Sequence, residues 1–288
     1  MKTFSGQVAA ITGAGSGIGR GLALALARKG CHLALSDVNS EGLTETARLC
    51  EGHGVTITRA QVDVSDRGAV HDWADSVVRD HGRVNLIFNN AGVAHAGSVA
   101  DSSYEDYDWI VDINLRGVLY GTKAFLPYLR EAEGGGHVVN ISSIFGLFSQ
   151  PGMSAYNMTK FAVRGLTEAL RQELDLSDAG VSATCVHPGG IKTNIARAAR
   201  VNDSVRTLAG GADIENVQAG FEKLLRTSPD DAADAILKGV HRNRRRVLIG
   251  PDARIVDWMQ RLFPTGYQTL ITTGIKLGRR RHQARYQA

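Results

Sequence analysis

Val8-Ala9-Ala10-Ile11-Thr12-Gly13-Ala14-Gly15-Ser16-Gly17-Ile18-Gly19 is a short apolar run, then a glycine-rich turn, then the opening of a helix-like stretch through Leu22, Leu24, Leu26 and Lys29. A continuous apolar run of this length suits a strand buried on both faces. The glycines allow a tight turn and let the backbone approach a ligand closely. A helix that starts there offers unpaired N–H groups and the positive end of its dipole to an anion such as a pyrophosphate. The spacing Gly13-x-x-x-Gly17-x-Gly19 departs from the usual Gly-x-Gly-x-x-Gly, because Ile18 stands where a third glycine would fall. Alone such a turn could be no more than a turn. Its place between a strand and a helix favours a nucleotide.

Gly30 is placed to end the helix, and a second strand, His32-Leu33-Ala34-Leu35-Ser36, ends in Asp37. A carboxylate there can accept hydrogen bonds from both adenosine ribose hydroxyls and repels a 2′-phosphate. Val38, Asn39 and Ser16 bring no positive charge to neutralise that phosphate. The sequence therefore favours NAD(H) over NADP(H); the competing reading is that Asp37 only caps a turn.

The unit repeats along the chain. Helices are expected at about 41–51, 68–81 and 104–130, and strands at 55–62, 84–88, 137–141, 181–186 and 246–250. The strand ends carry the unusual residues: Asp63-Val64, Asn89-Asn90-Ala91-Gly92, Ser142-Ser143 and His187-Pro188-Gly189. Alternating strands and helices predict an α/β fold: a doubly wound Rossmann arrangement with a central parallel sheet of about seven strands flanked by helices. Its ligand crevice lies at the carboxyl ends of the strands, where these clusters fall.

Ser154-Ala155-Tyr156-Asn157-Met158-Thr159-Lys160 opens a further helix. Residues four apart share a helix face, so Tyr156 and Lys160 point the same way. A phenol is a poor base at neutral pH, with an ordinary pKa of about 10. A nearby ammonium is expected to lower it by roughly 1–3 units and make an acid/base group near working pH. An exposed Tyr and an exposed Lys at that spacing would be the bland alternative.

These motifs together resemble the classical short-chain dehydrogenases/reductases, over residues 6–193. The resemblance rests on Thr12-Gly13-x-x-x-Gly17-Ile18-Gly19, Asp63-Val64, Asn89-Asn90-Ala91-Gly92, Asn114, Ser143, Tyr156-x-x-x-Lys160 and Pro188-Gly189-x-Ile191-x-Thr193. It implies that Tyr156 exchanges a proton with the substrate oxygen while hydride moves to or from the nicotinamide. Lys160 would lower the Tyr pKa and bind the nicotinamide ribose. Ser143, preferred to Ser142 for its thirteen-residue step to Tyr156, would hold the substrate oxygen. Asn114 would hold a water linking Lys160 to solvent. Gly13, Ser16, Gly17, Ile18 and Gly19 would cradle the cofactor phosphates and Asp37 its ribose. Asp63 and Val64 would sit at the adenine, and Asn90, Ala91 and Gly92 along the cofactor. Pro188, Gly189, Ile191 and Thr193 would meet the nicotinamide end. No metal is implied. A homodimer or homotetramer, pairing the helices that bear Asn114 and Tyr156, is implied.

Composition sets the bounds. The chain has 288 residues, 43% hydrophobic and 22% charged, with a net charge of +4. That excess is too small to argue for nucleic acid. Cys31, Cys50 and Cys185 are widely spaced and suit free thiols in a reducing compartment. No apolar run is long enough to span a membrane, and a cytoplasmic protein is expected.

The expected organisation is one catalytic domain over residues 1–250, with a substrate lid at about 190–226, and a helical basic extension over 251–288. The lid mixes Ala196, Ala198, Ala199, Val201, Val205 and Leu208 with arginines, which suits a hydrophobic alcohol or ketone. Phe145, Leu147, Phe148 and Met153 are either pocket wall or ordinary core. In the extension, Ile255 to Phe263 reads as an amphipathic helix stopped by Pro264, and Leu270, Ile271, Ile275 and Leu277 lead to Arg279-Arg280-Arg281 and Arg285. Such a segment can lie on an anionic membrane surface, or pack on a neighbouring subunit with a solvated basic end, as charge runs usually do. The function expected is NAD(H)-dependent interconversion of an alcohol with its ketone or aldehyde. The rivals are an NADPH-dependent carbonyl reductase and a catalytically idle dinucleotide-binding sensor or scaffold.

Overall fold

The computed structural model describes residues 3–178, 180–211, 213–223 and 225–286. The first half runs β1 (Val8–Thr12), α1 (Gly17–Ala27), β2 (His32–Asp37), α2 (Ser40–Cys50), β3 (Ile57–Gln61), α3 (Arg67–His81) and β4 (Leu86–Asn89). There follow β5 (His95–Ala96), α4 (Tyr104–Val111), α5 (Gly117–Glu131), β6 (Gly136–Ile141), α6 (Ser154–Leu176) and β7 (Val181–Pro188). The chain continues through β8 (Arg200–Val201), α7 (Ser204–Leu208), α8 (Ile214–Glu222), α9 (Pro229–His241), β9 (Arg246–Ile249), α10 (Pro251–Leu262) and α11 (Gly266–Tyr286).

Seven strands form one sheet in the order β3-β2-β1-β4-β6-β7-β9, every pair parallel. The order reverses between β1 and β4, which opens the crevice at their carboxyl ends. Side chains alternate across the sheet. On one face Leu33, Leu35, Leu86 and Phe88 pack with Leu22 and Leu26 of α1 and Ile236 of α9. On the other, Val8, Ala10, Ile87 and Val138 meet Trp73, Phe125 and Leu170 from α3, α5 and α6. Burial on both faces is why the central strands read as unbroken apolar runs. Ser228 caps α9 by accepting the Asp231 N–H, with Pro229 at its first position, where its fixed φ suits the helix.

Two expectations need correction. The single helix expected at 104–130 carries a π-helical turn at Asp112–Arg116 between α4 and α5. The turn is held by residues distant in sequence: Gly117 lies against Val64, where a Cβ would come within 2.8 Å of the valine side chain, and the Asn114 amide is held by the Val93 backbone. A π-bulge inserts a residue into the helical ladder and is frequent at functional sites. The segment expected to be a lid, without a clear period in the sequence, holds β8, α7 and α8. β8 pairs in parallel with β5, so Arg200 N–H donates to Ala94 and Asn202 N–H to Ala96.

The extension also packs on the rest of the chain. Asp257 of α10 takes both its oxygens to Arg246 of β9, at 2.9 and 2.8 Å. Tyr267 of α11 is buried edge-on to Phe148. α10 starts at Pro251, earlier than the apolar periodicity indicates, because proline suits a first helical position. The side chains of Arg280, Arg281 and Arg285, in the expected basic cluster, lie outside the described residues.

Candidate active site

The glycine-rich turn is built by exclusion. Gly13 has a φ of +64°, and a Cβ there would come within 2.8 Å of Ala91 Cα. Asn90 braces the turn from behind, its amide donating to Thr12 O at 2.9 Å and Gly13 O at 3.1 Å. The Thr12 hydroxyl accepts the N–H groups of Asn90 and Ala91, each at 3.0 Å. Gly17 lies opposite Thr193, whose methyl would be 3.0 Å from a Cβ, so the turn and the end of the β7 loop face each other. Ser16 caps α1 with no side-chain hydrogen bond, and no acid occupies the first turn. A free hydroxyl and unpaired N–H groups at a helix start fit a phosphate.

Asp37 ends β2 against this turn. Its Oδ2 accepts the Gly15 N–H at 2.8 Å and its Oδ1 the Asn39 N–H at 2.9 Å. Each oxygen keeps a lone pair for a further donor. The Arg20 guanidinium is committed to Gly15 O, Gly42 O and Thr46, beneath the turn. Asp63 is exposed and accepts twice from Ser65, while Val64 is buried against Gly117.

Ser143, Tyr156 and Lys160 come together at the carboxyl end of β6. All three are buried. Ser143 lies beside the Tyr156 phenol, and hydrogen bonding from it favours the phenolate. Burial is the larger effect and pushes Tyr156 up to about 12. The sequence leads one to expect the opposite direction, with Lys160 lowering the phenol. Lys160 Nζ lies 5.5 Å from the Tyr156 ring centroid and donates to Ile141 O at 3.1 Å. Its own burial pushes it down to about 8, so much of the expected field is spent on holding that charge in an apolar place.

Ser142 and Ser143 separate clearly. The Ser142 hydroxyl donates to Lys160 O at 2.8 Å, on the backbone of α6. Ser143 is left facing Tyr156. Asn114 sits on the π turn, fully buried. Its Oδ1 accepts the Val93 N–H at 2.8 Å and its Nδ2 donates to Val93 O at 2.9 Å. Gly92 is the meeting place of Asn114 and Lys160: a Cβ there would stand 3.1 Å from Asn114 Oδ1 and 3.5 Å from Lys160 Nζ.

Pro188 ends β7, and Gly189 is pressed against the Asp252 carboxylate. Ile191 is buried and bridges Thr227. An apolar wall stands over Tyr156, with Phe145 edge-on to it at 6.0 Å and Phe148 beyond, flanked by Met153, Ile195 and Met259.

The chemistry legible here is nucleotide binding beside a buried phenol, and the comparisons agree. The family model for short chain dehydrogenase matches residues 7–204. The chain belongs to the short-chain dehydrogenase family. A Mycobacterium tuberculosis relative named SadH is 48% identical over 276 residues, covering 96% of this chain and 97% of that one. The C alpha-dehydrogenase of a Sphingobium species is 34% identical, covering 88% and 84%. Among solved structures, a short-chain dehydrogenase/reductase from Burkholderia phymatum in complex with NAD superposes with a TM-score of 0.82 at 31% identity, covering 93% and 97%. This short-chain dehydrogenase is therefore an NAD(P)-dependent oxidoreductase by family.

Two supporting residues of the dehydrogenase, Asp252 and Tyr267, escape sequence reading, and a third, His187, is legible there only as part of the cluster that ends β7. Asp252 accepts the Gly190 N–H at 2.7 Å from a helix sixty-two residues on. His187 is buried, pushed down to about 4, and pairs its Nδ1 with Ser143 O at 2.9 Å. Tyr267 takes the Ser149 N–H on its hydroxyl at 3.2 Å. The glycines at 189 and 190 are the local sign of Asp252, and nothing local marks Tyr267.

Proposed function

We propose that this short-chain dehydrogenase interconverts an apolar alcohol with its ketone or aldehyde, using NAD(H) in preference to NADP(H). The observation that carries the reading is the buried phenol of Tyr156, with Ser143 beside it and Lys160 one turn along the same helix. With its pKa pushed up, Tyr156 is neutral at ordinary pH and ready to give its proton from Oη to a carbonyl oxygen. In the oxidative direction it takes that proton back from the alcohol. Ser143 Oγ donates to the same substrate oxygen and orients it. Lys160 supplies positive charge as the phenol ionises, and Asn114, meeting it over Gly92, carries the proton onward through a water.

Bound, the nicotinamide gives or takes the hydride. The start of α1 with Gly13, Ser16, Gly17, Ile18 and Gly19 would hold its pyrophosphate. Asp37 would take the adenosine ribose, Asp63 and Val64 the adenine, and Asn90, Ala91 and Gly92 would floor the cleft. Pro188, Gly189, Ile191 and Thr193 would meet the nicotinamide, and Lys160 its ribose. The NAD preference rests on Asp37, flanked by Val38 and Asn39, with Arg20 committed elsewhere. The apolar substrate rests on the Phe145, Phe148 and Met153 wall. Free buried cysteines suit a reducing, cytoplasmic setting, and half-exposed Met158 and partly exposed Phe161 on α6 suit a subunit interface there.

The test is NADH formation from a panel of alcohols, short diols to steroids and retinoids, with Tyr156→Phe alongside. General acid–base catalysis contributes about 10²–10⁴-fold, so the variant loses turnover by that order while NADH binding stays unchanged. A variant that keeps its turnover refutes the proton-transfer role. NAD binding without turnover of any alcohol or ketone favours the idle binder.

A further inference from the structure

We propose that α10 and α11 form a docking surface for an anionic lipid membrane. The outward face of α10 is apolar and cationic. Ile255, Trp258 and Leu262, at i, i+3 and i+7, are 66, 64 and 63% exposed, with Arg254 and Arg261 beside them. Phe263 follows at the helix end. On α11, Leu270 and Leu277 share an exposed face, with Lys276 adjacent. The opposite faces are already used: Ala253 and Asp257 on α10, and Tyr267 with the partly buried Ile271 on α11, pack inward. The outward residues therefore contribute nothing to the fold, and bulky apolar groups stay in water.

Charge decides what covers them. Residues 251–288 hold seven lysines and arginines and two aspartates, a balance of +5 in a chain whose net charge is +4. Both aspartates face inward. Asp252 accepts the Gly190 N–H, and Asp257 is held by Arg246 and Arg261. Among the described residues the two helices present apolar, uncharged polar and positive side chains outward, and no negative one. In a two-fold dimer the same patch meets itself, so two surfaces of like charge would be pressed together. An anionic lipid surface complements both properties: basic residues gain about 1 kcal/mol each near it, and exposed tryptophan and leucine enter the headgroup boundary. Among the described residues no helix is long and apolar enough to cross a membrane, so the mode is surface contact. Docking would also reach the active site, because Tyr267 packs on Phe148 and the Arg279 guanidinium donates to Leu208 O of the lid.

The experiment is co-sedimentation of the full chain with vesicles of equimolar phosphatidylglycerol and phosphatidylcholine, against pure phosphatidylcholine, at 0.1 M salt. The expected result is binding to the anionic vesicles only, lost as salt rises. Arg254→Gln with Lys276→Gln weakens binding about twenty-five-fold, at about fivefold per charge. Trp258→Ser with Leu262→Ser, at positions outside the core, weakens it at least about tenfold while alcohol turnover without vesicles is unchanged. Failure of the parent chain to bind anionic vesicles, or binding by both double variants as tight as the parent's, overturns the proposal. So does a serine variant that leaves vesicle binding intact but halves the solution mass, which would assign the face to a second copy.

Discussion

Lys160→Met isolates the energetics of the buried ammonium. Burial takes Lys160 from an ordinary value near 10.5 to about 8 in the folded chain, and its Nζ has Ile141 O as protein acceptor. At 1.36 kcal/mol per pH unit this costs about 3 kcal/mol at pH 7. The sign follows from linkage. Between pH 8 and 10.5 the unfolded chain binds the proton and the folded chain does not, so native stability rises with pH across that window. By pH 9.5 only about 1 kcal/mol of the cost remains. Methionine removes the cost but forfeits the hydrogen bond, about 1 kcal/mol, and some packing, about 1 kcal/mol. The variant is thus more stable than the parent by about 1 kcal/mol at pH 7 and less stable by about as much at pH 9.5. For a chain of this size that is a swing of about 4–8 °C in relative Tm. Thermal unfolding of the ligand-free proteins at the two pH values reads it. The comparison cancels every other titrating group, so a stability difference that is the same at both pH values refutes the reasoning.

Asp37→Ala removes the carboxylate proposed to hold the adenosine ribose; the NAD over NADP ratio in kcat/KM is expected to fall by about 10- to 100-fold, the scale of hydrogen bonds to a charged group. An unchanged ratio means that Asp37 does not read the ribose. Gly13→Ala places a Cβ against Ala91 at a φ of +64°; it destabilises the chain by about 2–4 kcal/mol and abolishes NAD binding, read by denaturant unfolding and by NADH fluorescence titration. Retained affinity would show that the turn does not need its left-handed glycine.

The sheet was legible because its strands are buried on both faces and so wrote themselves as apolar runs between turn signals. The glycine turn, Asp37 and the Tyr156–Lys160 pair were legible because each depends on short spacing. What escaped depends on distance. Asp252 reaches back to Gly190, and Tyr267 to Ser149, from an extension whose sequence pattern reports only its own amphipathicity. The π turn escaped because five residues in a long helical stretch carry no breaker; the cause lies in Val64 and Val93, far away in sequence. The direction of the Tyr156 shift escaped for a different reason. Spacing along a helix places an ammonium near a phenol, but it says nothing of how much water both have lost.

The short pairing of β5 with β8 separates inheritance of chemistry from inheritance of taste. Arg200 and Asn202 are stitched to the loop that follows β4, and Lys192 N–H donates to Thr227 O at the other end of the segment. Between these two anchors the segment makes further contacts of its own: Ser204 Oγ accepts the Ser98 N–H, and Leu208 O accepts from Arg279. These contacts lie apart from Ser143 and Lys160, which are held by Phe145 N–H and Ile141 O. If the segment is the substrate lid expected from the sequence, its residues can vary while the groups proposed to move the proton stay in place.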